Sequence, residues 1–258
     1  MIVINERDMD ILNITSDSIH SEFFHKRYEY DVLRSGETIE DAYVLYVQDG
    51  KDYMELGRLR ETFQQLLEHY PRLAKKLVFV LIHPGDSMER WHSYHHKGEQ
   101  FEKFIDFMVD ELIPTVEKRL TSLNINIAKR GMLGDSLAGN VSVNIAAKNP
   151  EKWTHLLLQS AAVQKEDIRV LSNVEKLSWN IYQTVGIYEN QFVSTITKEK
   201  LYILTRNREL YKAFAEKGAA IDYTEQEESH EWVFWERDLW NPLSFFITTP
   251  DHDSDIID

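Results

Sequence analysis

Apolar residues along this chain recur at two spacings, and the order of those spacings predicts its architecture. From Asp10 to Leu33, Ile11, Ile14 and Ile19 are followed by Phe23-Phe24, and then Tyr28, Tyr30 and Val32 alternate with charged neighbours. That is the period-two mark of half-exposed strands, and it predicts antiparallel strands at a sheet edge. Ser35 to Thr38 reads as a turn. Ala42 to Val47 and Leu77 to Ile82 are unbroken apolar runs, as strands buried on both faces require; the first ends in Gln48-Asp49-Gly50 and the second in His83-Pro84-Gly85. Between them Phe63, Leu66 and Leu67 share one helical face over Arg60 to Tyr70. A longer helix is predicted over Phe101 to Leu120, with Phe104, Phe107, Met108, Leu112 and Ile113 inward. Pro114 should kink or break it, because proline brings no N–H and its ring crowds the preceding turn. Strands follow at Trp153 to Leu158, Ile181 to Val185 and Ala219 to Tyr223. A helix over Arg208 to Lys217 is stopped by Gly218, and an aromatic-rich helix closes the chain. Strands alternating with helices pack as an α/β fold with a mostly parallel sheet.

One stretch organises the rest. Ala128 to Lys148 reads as strand, tight turn, helix, with Ser136 at the turn and Leu137, Val141 and Ile145 recurring at helical spacing after it. A serine on a sharp strand-to-helix turn sits in strained backbone, so the residues two before and two after it must be small. Gly134 and Ala138 meet that demand. The helix beginning at Leu137 also aims its free N–H groups and positive dipole end at the serine oxygen, which suits an oxyanion forming there. Ser136 is therefore the candidate nucleophile, against the plainer reading of a turn serine that caps a helix.

Composition narrows the classes. The chain has 258 residues, 43% hydrophobic and 12% aromatic, which suits a folded chain with a substantial core. At 28% charged and a mean hydropathy of -0.43 it carries no membrane span. A net charge of -14 argues against a nucleic-acid partner, which would draw on clustered Lys and Arg. The absence of cysteine removes disulfides, thiolate nucleophiles and Cys-based zinc sites. Met1-Ile2-Val3-Ile4 runs straight into Asn5, Glu6 and Arg7 without a signal peptide's apolar core, so a cytoplasmic location is expected. No linker divides the chain: residues 1–248 are expected to form one domain, and Thr249 to Asp258 a short acidic disordered tail.

Five ordered pieces of sequence resemble the esterase branch of the α/β-hydrolases, which includes enterochelin and other siderophore esterases, S-formylglutathione hydrolases, feruloyl esterases and mycolyltransferases. Tyr43 to Gly50 is similar to that family's apolar strand ending in Asp-Gly. Arg90 followed by Tyr94 resembles its Arg-x-x-x-Tyr, and Glu111-Leu112-Ile113-Pro114 its Glu-Leu-Ile-Pro helix. Gly134 to Gly139 resembles its elbow, and His230-Glu231-Trp232 with Trp235 its histidine motif. The chain departs at Ala138, where the family usually has glycine, and at Ser229, where glycine often precedes the histidine. The resemblance implies an α/β-hydrolase fold with antiparallel strands at the N-terminus. It also implies a serine esterase acting on a small-molecule ester, siderophore-type lactones among them, with no cofactor.

That resemblance, with the chain order serine, acid, histidine usual for the fold, selects the remaining residues. Downstream of Ser136 lie His155, at the start of an apolar strand, His252, in the tail, and His230, in a polar loop after a strand. His230 is the expected base. Gly186-Ile187-Tyr188-Glu189 resembles the family's Gly-x-x-Glu, which makes Glu189 the expected acid, with Asp222 a rival inside the last strand. Oxyanion donors are expected at the backbone N–H of Leu137, after the nucleophile, and by resemblance at that of Lys51. His92, His95 and His96, with His83 nearby, could be read as metal ligands, but no HExxH-like carboxylate spacing accompanies them, and no metal is expected. Asp86 to Gly98 is read instead as a solvent-facing lid or pocket wall, and Trp232, Trp235 and Trp240 as core residues of the last helix. Acyl transfer to an alcohol, or a non-catalytic binding protein that keeps the fold, are the competing readings.

Overall fold

The computed structural model describes residues 12–250. Within them an eight-stranded sheet runs β1 (Leu12–Ser21), β2 (Lys26–Ser35), β3 (Asp41–Val47), β4 (Leu77–Ile82), β5 (Asn126–Asp135), β6 (His155–Gln159), β7 (Asn180–Gly186) and β8 (Ala220–Gln226). Its spatial order is β1-β2-β4-β3-β5-β6-β7-β8. β1, β2 and β4 pair antiparallel, and every other neighbouring pair is parallel. This is the mostly parallel sheet with an antiparallel N-terminal edge that the apolar spacing predicts. β3 and β4 sit in its middle because their side chains are apolar on both faces, and β4 is buried along its whole length. β8 forms the far edge, and none of its residues is fully buried.

Helices cover both faces. The Leu59–His69 helix presses Phe63, Leu66 and Leu67 against Phe79 and Leu81 of β4 in one apolar layer, each such side chain contributing about 1.5–3 kcal/mol by leaving water. On the opposite face, Phe104, Phe107, Met108 and Ile113 join Val141 and Ile145 of the Ser136–Lys148 helix in a second layer.

Three elements differ from expectation. Pro114 does not break its helix: a π-helical segment, Phe107–Leu112, joins Phe101–Asp106 to Ile113–Ser122, and the Ile113 N–H bonds the Met108 carbonyl five residues back. The wider turn places the missing proline donor at a seam where the ladder is already shifted. The expected lid contains the helix Ser87–Tyr94, started by Asp86 and Glu89, which exchange side-chain and backbone bonds as a capping box. The aromatic closing helix is two, Trp232–Asp238 and Trp240–Thr248; Trp235 is buried, whereas Trp232 and Trp240 pack half-buried against the core. The expected tail lies outside the described residues beyond Pro250, as does His252.

Candidate active site

The turn at Ser136 is built as its neighbours require. Ser136 has φ 45°, in the left-handed region, a strained conformation for any residue with a β-carbon. A β-carbon at Gly134 would lie 2.4 Å from the Ala138 carbonyl carbon, so only glycine lets strand and helix approach this closely. Ala138 is fully buried. The Ser136 carbonyl accepts the Ala162 N–H at 2.7 Å, tying the turn to the chain leaving β6.

His230 and Glu189 arrive from the other end of the sheet. β7 and β8 stay in register to Gly186 and Gln226, and the chains continue side by side, with Ile187 N–H on the Gln226 carbonyl and Tyr188 N–H on that of Glu228. A β-carbon at Gly186 would meet the Glu228 carbonyl oxygen at 2.3 Å, so the close approach of these two loops depends on that glycine. The result is a chain of hydrogen bonds. Ser136 Oγ lies 2.8 Å from His230 Nε2, and His230 Nδ1 lies 2.9 Å from Glu189 Oε2. With Nδ1–H donated to the carboxylate, Nε2 is left to accept the serine proton. The other carboxylate oxygen, Glu189 Oε1, accepts from Ser160 Oγ at 2.6 Å and Gly186 N–H at 2.9 Å. Phe192 packs 4.3 Å from the imidazole and Trp235 stands edge-on to it at 4.9 Å, so the ring is held on both sides and its side chain is only 3% exposed.

Sheet register brings the segments that carry the expected backbone donors to the same end of the sheet. Val47 pairs with Leu133 across β3 and β5, and Gln48 N–H bonds the Leu133 carbonyl. Consequently the first turn of the Gly50–Glu55 helix, which contains Lys51, and that of the Ser136–Lys148 helix, which contains Leu137, open at the same end of the sheet. First-turn N–H groups have no carbonyl of their own helix to bond. The Lys51 side chain takes no part; it is exposed and faces Glu55.

Leu137 and Phe192 belong to an apolar cluster with Ala162, Val185, Ile203 and Leu204. Two residues beyond Ala162, Gln164 helps line a polar cavity of about 310 Å³ together with His95, His96, Lys97, Glu166 and Glu199. His95 accepts the Lys97 N–H and stacks on His96, and burial, then the neighbouring His96 and Lys97, hold its pKa down to about 4. His96 faces the buried Asp167, and His83 is paired with Asp31. Among the described residues no group of three or more His, Cys, Asp or Glu is arranged to hold a metal ion. Asp222 lies exposed on β8, four residues before that strand ends at Gln226 and gives way to the loop that carries His230.

Sequence reasoning missed Ser160. It is fully buried, has φ 52°, and links Glu189 to the indole of Trp235, whose Nε1–H it accepts at 3.0 Å. The signal was faint: the apolar run Leu156-Leu157-Leu158 turns abruptly polar at Gln159-Ser160, where β6 ends beside the elbow strand.

No described helix is long and apolar enough to cross a membrane. A model of the family described as "Putative esterase" matches residues 35–246. A Bacillus subtilis (strain 168) protein described as "Uncharacterized protein YjcH" is 28% identical over 197 residues, which is 75% of this chain and 80% of that protein. Among solved structures, the BES protein from Bacillus cereus superposes with TM-score 0.70 at 17% identity, over 96% of this chain and 100% of that one. A ferulic acid esterase gives 0.68 at 16% identity, over 92% and 97%. The enterobactin esterase FES from Shigella flexneri gives 0.72 at 18% identity, but this chain spans only 58% of it. At such identities these structures speak for the fold. The family match covers most of the 258 residues, and on that ground the chain belongs to this esterase family, with its α/β-hydrolase fold.

Proposed function

We propose that this protein is a serine carboxylic-ester hydrolase that works through an acyl-enzyme on a small-molecule ester. The observation that carries the reading is the unbroken relay from Ser136 Oγ through His230 to a Glu189 whose second oxygen is itself held by two donors. Ser136 Oγ attacks the ester carbonyl carbon while His230 Nε2 takes its proton. Glu189 stabilises the imidazolium and fixes its tautomer. The carbonyl oxygen gains its negative charge beside the Leu137 and Lys51 N–H groups, which are paired with it only as that charge develops. His230 then returns the proton to the leaving alcohol, and the same groups activate water to release the acid. The apolar cluster at Leu137 and Phe192, beside the serine in sequence and against the imidazole, suits an acyl chain or ring. Siderophore and ferulic acid esters, named for its structural relatives, are therefore the first natural esters to try.

A fluorophosphonate tests this directly. It should label Ser136 stoichiometrically in the intact protein, and Ser136→Ala should lose both labelling and at least about a thousandfold in turnover of p-nitrophenyl acetate. An adduct at another residue, or near wild-type turnover in a folded Ser136→Ala protein, would sink the assignment.

A further inference from the structure

The sequence singles out Arg90 and Tyr94, and the mechanism above uses neither. Arg90 stands on the Ser87–Tyr94 helix and enters the space behind the two first turns that hold Lys51 and Leu137. Its Nε donates to Asp49 Oδ2 at 2.6 Å, a terminal nitrogen of the same guanidinium also contacts that oxygen, and this nitrogen lies 3.7 Å from Asp135 Oδ2. Asp49 lies two residues past the end of β3 and is the residue before the Gly50–Glu55 helix. Asp135 closes β5 and is the residue before Ser136. Each carboxyl therefore sits two residues before an expected oxyanion donor, and the two are 2% and 1% exposed.

Two buried acids share one cation. The remaining groups around them do not redress the balance: Asp52 adds another acid, while Tyr53 and Tyr94 are buried phenols that stay neutral. Asp49 Oδ1 and Asp135 Oδ1 have no hydrogen-bond partner. Burial, then the nearby Asp49, push the Asp135 carboxyl well above the usual carboxylate range, while Asp49 pairs with Arg90. The helix is anchored here as well, since the guanidinium lies over the Tyr94 ring and Tyr94 donates to Gln48 Oε1 at the end of β3.

We propose that Arg90 is a positioning residue for ester hydrolysis: by gripping Asp49 and reaching Asp135 it fixes the two strand ends that carry the oxyanion donors and cancels the buried negative charge behind them. Without Arg90 an unpaired carboxylate stands behind the place where the transition state becomes negative, which opposes catalysis and leaves ground-state binding alone. The inference rests on the proposed oxyanion pair. Fluorophosphonate labelling of the wild-type protein tests that esterase reading separately, so failure of one is distinguishable from failure of the other.

The experiment compares Arg90→Met and the double variant Arg90→Met with Asp49→Asn, using p-nitrophenyl acetate and the full-length protein. Arg90→Met should lower kcat by about a hundredfold with KM within threefold, as loss of a transition-state interaction does. Adding Asp49→Asn should restore kcat at least tenfold, because it removes the charge that Arg90 had cancelled. The proposal is overturned if Arg90→Met keeps kcat within threefold, if the loss lies in KM, or if Asp49→Asn restores nothing. Should Arg90→Met fail to fold, Arg90→Lys decides: it keeps the charge but not the planar fork, and kcat should fall about tenfold at unchanged KM. No loss, or a loss in KM, refutes the proposal there too.

Discussion

Ser160→Ala isolates the support beneath the candidate acid. Ser160 Oγ donates to Glu189 Oε1 at 2.6 Å and accepts from Trp235 Nε1 at 3.0 Å, both in fully buried surroundings. A hydrogen bond to a charged group contributes about 1.5–3 kcal/mol, and an indole N–H left buried without an acceptor costs about 1–3 kcal/mol. Together these set the expected loss of stability at roughly 2.5–6 kcal/mol, read from urea unfolding followed by far-UV circular dichroism. The effect on catalysis should be smaller, because Gly186 N–H still holds the same oxygen at 2.9 Å. Losing one of two supports, about 1.4 kcal/mol of orientation, corresponds to a tenfold fall in kcat. KM for p-nitrophenyl acetate should not move, since Ser160 has no path to substrate past Glu189. A variant within 0.5 kcal/mol of wild type, taken as roughly the scatter of neutral substitutions, and with unchanged kcat would refute the view that Ser160 orients the acid.

Glu189→Gln should lower kcat by about a hundredfold or more because the amide cannot hold His230 in its working tautomer, whereas Asp222→Asn, exposed on the edge strand, should cost less than about threefold; steady-state kinetics on both variants decide, and the reverse order would mean that the acid is misassigned. Asp135 has a folded-state pKa above its unfolded one, so its folded form binds the extra proton and stability falls as pH rises from the unfolded value, about 3.9, toward the raised one. Asp135→Asn removes that penalty. Its urea midpoint should exceed the wild-type value at pH 7, with the gain vanishing below about pH 4, where both forms are protonated; a lower midpoint at pH 7 would show that the ionised carboxylate stabilises the fold.

Much of this organisation was legible because it is local. The unbroken apolar runs of β3 and β4 need no partner to be recognised, and Gly134-Asp135-Ser136 carries its steric demand in adjacent residues. The structure brings Ser136, His230 and Glu189 together through register across separate strands, and there sequence order helped only because the fold fixes which strand end follows which. Ser160 was not legible: its role depends on Glu189 and Trp235, distant in sequence and adjacent only after folding. The bridging of two acids by Arg90 was hidden for the same reason. The helix Ser87–Tyr94 was readable and overlooked, since Asp86-Ser87-Met88-Glu89 is a capping-box pattern. The π segment before Pro114 was not, because the proline signals a lost hydrogen bond but not which carbonyl the neighbouring N–H will choose.

The two halves of the site rest on unequal foundations. Ser136 and the expected N–H donors follow from the pairing of β3 with β5, deep in the sheet, where β6 and β7 beyond them are also buried throughout. His230 instead hangs from β8, an edge strand whose side chains alternate between exposed and half-buried. Its place is kept by Glu189, Phe192 and Trp235. Segments with few buried contacts open at lower free energy than the core, so the loop from Gln226 to His230 should detach before the sheet unfolds. Urea should accordingly abolish turnover at saturating p-nitrophenyl acetate at a concentration below the midpoint seen by far-UV circular dichroism, with activity recovering fully on dilution. Hydrogen exchange should show the Glu225 to Glu231 amides exchanging well before those of β3 and β5. If activity and circular dichroism are lost in one coincident transition, and the β8 amides are protected as strongly as the central strands, the histidine is held by the global fold and this division of the site is wrong.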